Sequence, residues 1–279
     1  MSKNTIWPEG KQCCAWFTFD LDAEWVFMGN IPEIENMPRR LSLGKYVWDS
    51  GLISRILDLL DNYNIKATFF VVGMNAVKHP TVMQLIHSRG HELACHNWKH
   101  EKISDVSKEE ERKRLLMTIE AIEKAIGVRP VGNRTAGGDL SPNTLDLLYE
   151  NGLLYDSSIR NSDTPYRLKR PDSATEDGLV ILPSYYDMDD FHLFADYPGV
   201  SPYHARMLSP QSGYEMWTNA FDGYYKFGLC YTTMFHPQII GKPGNIMLLD
   251  RLLSYISKFP NVWFARGDEI TRYWMNKKG

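Results

Sequence analysis

Residues 14–24 read CAWFTFDLDAE, and this stretch decides the fold that we expect. Residues 14–17 are apolar and predict a buried strand, after which three carboxylates follow at alternate positions: Asp20, Asp22 and Glu24. Alternate residues of an extended segment point to the same side, so these acids are expected to lie close together. Because like charges at that spacing repel, the pattern predicts a polar cleft or a bound cation. The alternative is a strand end on the surface with solvated acids.

Strand-like and helix-like segments alternate after this stretch. Apolar runs typical of strands cover residues 67–72, 91–95, 131–134, 180–182, 229–235 and 262–264. Helical spacing or capping signals mark residues 51–63, 76–87, 107–126, 141–149, 246–258 and the segment from 267. Such alternation predicts an α/β fold, with a closed or nearly closed barrel of about seven parallel strands rather than an open sheet. We expect a single domain over residues 1–279, with surface loops at 159–178 and 187–209.

Composition and charge exclude several classes of function. The 279 residues are 43% hydrophobic and 23% charged, with a net charge of −3, which is ordinary for a globular protein and gives no case for nucleic-acid or membrane partners. The start of the chain lacks the apolar core of a signal peptide, and no apolar run reaches 18 residues. The four cysteines show no CxxC spacing and are expected to be buried, reduced thiols. A cytoplasmic location is therefore predicted.

Polar residues collect just after the predicted strands. In parallel α/β folds chemistry gathers at the carboxyl ends of the strands, and this position is shared by Asp20, Asp22, Glu24, His96, His100, Arg134 and His236. His96 and His100 are four residues apart, so on a helix or a tight turn both imidazoles face one way. Two histidines with one carboxylate are a common catalytic metal set. Taken alone, an HxxxH pair, a strand-end Arg134 and a strand-end His236 are also compatible with structural roles.

These motifs, in this order, resemble those of the polysaccharide deacetylase family, also called the NodB-homology or carbohydrate esterase family 4. The resemblance runs over most of the chain, and its motifs are TFDLD at 18–22, ATFF at 67–70, GHEL at 90–93, HNWKH at 96–100, NRTAG at 133–137 and MFHP at 234–237.

The resemblance implies a distorted (β/α) barrel and a role for each site residue. Asp20 would be the general base, and Arg134 would orient it. One divalent metal, usually zinc, would be held by Asp22, His96 and His100. His236 would protonate the leaving nitrogen.

The chain departs from typical members of the family at two motifs. Leu21 separates the two aspartates, and Ala136 stands where a proline is usual. These departures resemble an atypical branch that includes peptidoglycan deacetylase-like proteins, cyclic imide hydrolases and metal-independent allantoinases, often as tetramers. The resemblance thus implies a small-molecule or oligosaccharide substrate and a homotetramer.

Three functions remain compatible with the sequence. The first is metal-dependent hydrolysis of an acetamide or similar linear amide on a sugar. The second is hydrolysis of a cyclic amide or imide, in which a carbon–nitrogen bond of a small ring is broken. The third is a non-catalytic binding scaffold that retains the fold.

Overall fold

The computed structural model describes residues 6–28, 36–49, 51–169, 177–195 and 208–277. Its strands are β1 (Cys13–Trp16), β2 (Thr18–Leu21), β3 (Thr68–Val71), β4 (Glu92–Cys95), β5 (Gly132–Asn133), β6 (Tyr155–Asp156), β7 (Tyr166–Arg167), β8 (Val180–Ile181), β9 (Cys230–Thr232) and β10 (Val262–Phe264). Its α-helices are α1 (Trp25–Met28), α2 (Pro38–Asp49), α3 (Leu52–Asn62), α4 (Gly73–Lys78), α5 (Pro80–Ser88), α6 (Lys108–Ile126), α7 (Thr144–Glu150), α8 (Asp190–Phe194), α9 (Pro210–Phe227), α10 (Pro237–Ile240), α11 (Pro243–Ile256) and α12 (Gly267–Asn276).

Parallel strands close into a distorted barrel, as the sequence predicts. β1 and β2 are two halves of one strand, and the parallel pairs run from β2 through β3, β4, β5 and β6 to β8, while β9 pairs with β1. The ring closes where Asp190 N donates to Met234 O (3.1 Å) and Met234 N donates to Met188 O (2.9 Å). β10 also pairs with β1, and β7 adds an antiparallel edge to β8. The barrel therefore has seven parallel strands within the described residues, counting β1 and β2 as one.

Local signals explain where several helices begin and end. Ser107 Oγ accepts a hydrogen bond from Glu110 N (3.3 Å) at the start of α6, and Gly127 ends that helix in the left-handed region with φ 73°. The prediction of one helix over residues 76–87 is wrong. The chain forms α4 and α5 instead, because a proline, Pro80, cannot continue a helix but is well suited to begin one.

Two predicted loops contain regular structure. β7 lies within residues 159–178, and α8 lies within residues 187–209. Residues 170–176 and 196–207 of these loops lie outside the described part of the chain. Helices α2 and α9 were not predicted from the sequence.

Apolar side chains, several of them aromatic, fill the interior of the barrel. Trp16, Phe70, Tyr155, Val180 and Cys230 belong to one buried cluster, contributed by strands around the ring. Since this interior is packed, a site for chemistry lies at the end of the barrel and not along its axis. All four cysteines are buried, as predicted, and none of them lies in a disulfide. Among the described helices, none has the length and apolar character needed to cross a membrane.

Candidate active site

Asp20 and Arg134 form a buried ion pair at the carboxyl end of the barrel. Asp20 is near the end of β2, and Arg134 follows β5 directly. Arg134 Nη1 donates to Asp20 Oδ1 at 2.7 Å and to Thr18 Oγ1 at 2.8 Å, while its Nη2 donates to Ser157 Oγ at 3.1 Å. The guanidinium also lies over the Phe70 ring, 4.1 Å from its centre. These contacts fix the carboxylate of Asp20 and leave its Oδ2 facing His96 at 3.9 Å from Nε2.

Asp22, His96 and His100 bring three metal-ligating atoms together. Asp22 Oδ1 lies 3.2 Å from His96 Nε2, and Asp22 Oδ2 lies 3.3 Å from His100 Nε2. All three side chains are buried, and their ligating atoms lie within 4.8 Å of one another. The histidines are on a tight loop after β4, whose sharp turns use positive φ at Asn97 (56°) and His100 (58°). The two imidazoles therefore lie together, as their four-residue spacing predicts. The segment that carries them is a loop and not a helix.

The hydrogen bonds of this group fit a divalent cation. His96 Nδ1 bonds to Arg134 O at 2.6 Å, and since a carbonyl only accepts, Nδ1 carries a proton and Nε2 is the ring atom directed at the other site residues. His96 Nε2 faces Asp22 Oδ1, a buried oxygen without a hydrogen-bond partner. Two acceptors at this distance repel unless a proton or a cation lies between them.

The same charges shift the pKa values of the group. Burial opposes ionisation of Asp22, but His100, His96 and His236 outweigh it and lower the pKa of Asp22 well below its usual range. Burial likewise opposes a charged His96, yet Asp20 and Asp22 raise the pKa of His96. Both shifts show that the group attracts positive charge.

His236 lies beside this group, held by two carboxylates that sequence reasoning missed. Asp190 accepts from His236 N (2.9 Å) and bonds to Nδ1 (2.8 Å), and Asp189 Oδ1 lies 3.5 Å from Nδ1. Nε2 consequently points to Asp22 Oδ2, 3.5 Å away. Burial opposes a charged imidazole, but Asp189 and Asp190 outweigh it and raise the pKa of His236 well above its usual range. The contact spans 46 positions of sequence, so no local pattern announces it.

Glu24 does not join the other two acids, and the expectation that all three converge is wrong. The chain turns at Ala23, whose φ of 51° ends the extended alternation. The Glu24 carboxylate is buried but accepts from Trp48 Nε1 at 2.8 Å, on helix α2. Gly44 fits against the same turn, since a Cβ there would lie 2.4 Å from Glu24 Cα. Glu24 thus anchors α2 to the turn that carries Asp22.

Comparison with known proteins identifies relatives over the whole chain. A sequence profile of the family described as polysaccharide deacetylase matches residues 44–155. Peptidoglycan deacetylase of Helicobacter pylori is 26% identical over 282 residues, which are 93% of this chain and 95% of that protein.

Solved structures agree with this similarity. The crystal structure of a Mycobacterium smegmatis protein, whose name assigns it to the polysaccharide deacetylases, is 32% identical with a TM-score of 0.90, over 99% of this chain and 94% of that one. The crystal structure of Puue Allantoinase has a TM-score of 0.81 at 24% identity, over 96% of this chain and 92% of that one. The second likeness concerns the fold.

Proposed function

We propose a function on one premise: the chain belongs to the polysaccharide deacetylase family. It is accordingly a hydrolase of carbon–nitrogen bonds other than peptide bonds. Our proposal is metal-dependent hydrolysis of an acetamide or similar linear amide on a sugar. The observation that carries it is the buried group of Asp22, His96 and His100, whose ligating atoms lie within 4.8 Å of one another.

Asp22, His96 and His100 would hold the metal, and zinc suits two imidazoles with one carboxylate. When bound, such an ion lowers the pKa of water and polarises a carbonyl. Asp20 Oδ2 faces the same space, so Asp20 takes the proton from the attacking water as general base. Arg134 keeps Asp20 in this orientation through the 2.7 Å bond to Oδ1.

His236 acts as the general acid that protonates the leaving nitrogen. Its Nδ1 is held by Asp190, so Nε2 is the atom that donates toward the reacting group. The raised pKa of His236 keeps the imidazolium populated near neutral pH. A base and an acid therefore both lie next to the proposed metal ligands, which supplies the two proton transfers of amide hydrolysis.

Hydrolysis of a cyclic imide or amide is the second candidate, and the burial of the site favours it. The six proposed site side chains belong to residues that are 1–7% exposed, from Asp22 at 1% to His100 at 7%. A small ring fits an enclosed site better than a polysaccharide chain, which needs an open groove.

One experiment tests both candidates. The protein is stripped with a chelator, divided into metal-free and zinc-supplemented samples, and assayed with chitooligosaccharide for acetate and with succinimide for ring opening. Zinc-dependent release of acetate supports the first candidate, and zinc-dependent ring opening supports the second. Turnover that is equal with and without zinc contradicts the metal-dependent mechanism, and no turnover of any amide favours a scaffold.

Three further properties are part of the proposal. A single catalytic domain over residues 1–279, a homotetramer and a cytoplasmic location are supported by the sequence and its resemblance to the atypical branch. Light scattering on the purified protein would give the subunit number directly.

A further inference from the structure

We propose that the substrate carries an oxyanion, a carboxylate, near its scissile amide, and that Arg160 binds it. This inference rests on the proposed function and names the substrate class of the same site. Arg160 follows β6 at the edge of the barrel that carries Arg134. Its guanidinium lies over the ring of Tyr186, with Cζ 3.8 Å from the ring centre. Tyr186 is 49% exposed, so the stack borders solvent.

The bonding of Arg160 is incomplete. Nη1 donates to Ser158 O at a long 3.4 Å, and Nε is buried without a hydrogen-bond partner. Within the described ranges no carboxylate lies at salt-bridge distance from Arg160, whereas Arg134, at the same edge, is paired with Asp20. With one long hydrogen bond and no carboxylate partner, the guanidinium keeps donor capacity for an oxyanion.

Two chains of contacts connect Arg160 to the proposed active site. On one side the Tyr186 ring lies 5.1 Å from that of His192, whose Nδ1 bonds to Asp189 Oδ2 at 2.7 Å. Asp189 in turn lies 3.5 Å from His236 Nδ1. On the other side, Ser158 O accepts from Arg160 Nη1, and Ser158 Oγ accepts from the backbone N of Thr135. Thr135 is the residue that follows Arg134.

Charge and geometry favour an oxyanion at this position. The guanidinium is a planar fork that binds a carboxylate or a phosphate through two parallel N–H groups, and stacking on an aromatic ring leaves the edge of the fork available. The ligand would lie at the edge of the barrel that carries Arg134, connected to the proposed acid, His236, through Tyr186, His192 and Asp189. A carboxylate on the substrate would thus set its orientation before the amide reaches Asp22.

Equilibrium binding tests the assignment without depending on turnover. Zinc-supplemented protein is titrated calorimetrically with N-acetylglucosamine, N-acetylmuramic acid and N-acetylglucosamine 6-phosphate, which are neutral, carboxylated and phosphorylated. We expect N-acetylmuramic acid to bind about 10- to 100-fold more tightly than the neutral sugar, the range for a hydrogen-bonded charge pair. Arg160→Gln should remove this preference and leave binding of the neutral sugar within about twofold, and Arg160→Lys should keep part of the preference.

Arg251→Gln is the matched control. Arg251 is also stacked on a tyrosine, with Cζ 4.1 Å from the centre of the Tyr214 ring, but it lies on α11, away from the site. Its replacement should preserve the preference. Tighter binding of the phosphorylated sugar that is lost in Arg160→Gln would keep Arg160 as the oxyanion ligand but overturn the carboxylate. Equal binding of all three sugars, or an acid preference that survives in Arg160→Gln, would overturn the inference. Failure of hydrolysis alone would count against the proposed function and not against Arg160.

Discussion

The two ends of strand β4 carry histidines with opposite environments. At the amino end, His91 Nδ1 accepts a hydrogen bond from Ala67 N at 3.0 Å, and burial lowers the pKa of His91 to about 4. At the carboxyl end, His96 Nδ1 donates to Arg134 O, and the nearby carboxylates raise the pKa of His96. The first imidazole is a neutral packing group, while the second has its Nε2 directed at Asp22.

The carboxylates at the two ends of the barrel differ in the same way. Glu92 begins β4, and among the described residues its oxygens accept from uncharged donors: Thr68 Oγ1 (2.6 Å), Tyr155 OH (3.0 Å) and Asp268 N (3.1 Å). Burial raises the pKa of Glu92 to about 7. Asp20, at the opposite end, is paired with a guanidinium. Burial is common to both acids, so charged partners and not burial distinguish the proposed catalytic end from the structural end.

Removing one carboxylate from each end should give the largest contrast in rate. Asp20→Asn should lower kcat about 100- to 10,000-fold, because an amide cannot take the proton from water. Glu92→Gln should keep kcat within a few fold, since its partners are neutral and an amide can still bond to them. Steady-state kinetics on the substrate identified above, with metal content measured in both variants, makes the comparison. Similar rates for the two variants would refute the role of Asp20 as base.

Asp190→Asn should have a smaller effect on rate and a distinct effect on pH dependence. The carboxylate of Asp190 raises the pKa of His236 and fixes its orientation, so its loss lowers that pKa. Because the acid acts when protonated, the alkaline limb of the kcat/KM profile should move to lower pH by about one unit or more. A matched replacement in the partly buried Arg266–Asp268 pair, Asp268→Asn, should leave the profile in place. An unchanged alkaline limb in Asp190→Asn would contradict the assignment of His236 as the acid.

Glu92→Gln should change the pH dependence of stability, the smallest of these effects. The folded-state pKa of Glu92 lies above its unfolded value, so its contribution is fully present below about pH 4.5 and is lost as the pH rises toward 7. The loss amounts to at most about 3 kcal/mol of unfolding free energy. Denaturant unfolding at pH 5 and pH 8 should show a weaker decrease in the variant than in the original protein. An identical decrease in both would show that Glu92 titrates normally.

Sequence predicts the features that depend on neighbouring residues. The alternation of strands and helices gives the barrel, and Ser107 and Gly127 mark the ends of α6 because capping is a local interaction. The carboxyl ends of parallel strands meet at one edge, so the sequence also predicts that Asp22, His96 and His100 lie together. This placement is observed, while their roles stay predictions.

Contacts between distant segments are what the sequence does not reveal. The pairing of Asp190 with His236, and that of Glu24 with Trp48, depend on how the loops cross the end of the barrel. Helix α9 was missed because its glycines, Gly213 among them, resemble loop signals. In the structure Gly213 is buried against Phe194, where a Cβ would lie 2.5 Å from the ring.

The most direct test is the metal content of variants at the two histidines that flank β4, His91 and His96. Protein purified without added metal is analysed for transition metals as the original chain, as His96→Ala and as His91→Asn, in which the Asn oxygen can replace Nδ1 as acceptor for Ala67 N. We predict about one divalent ion per chain in the original protein and in His91→Asn, and loss of the ion in His96→Ala. Stoichiometric metal in His96→Ala, or no uptake by the original chain when zinc is supplied, would contradict a metal site of Asp22, His96 and His100.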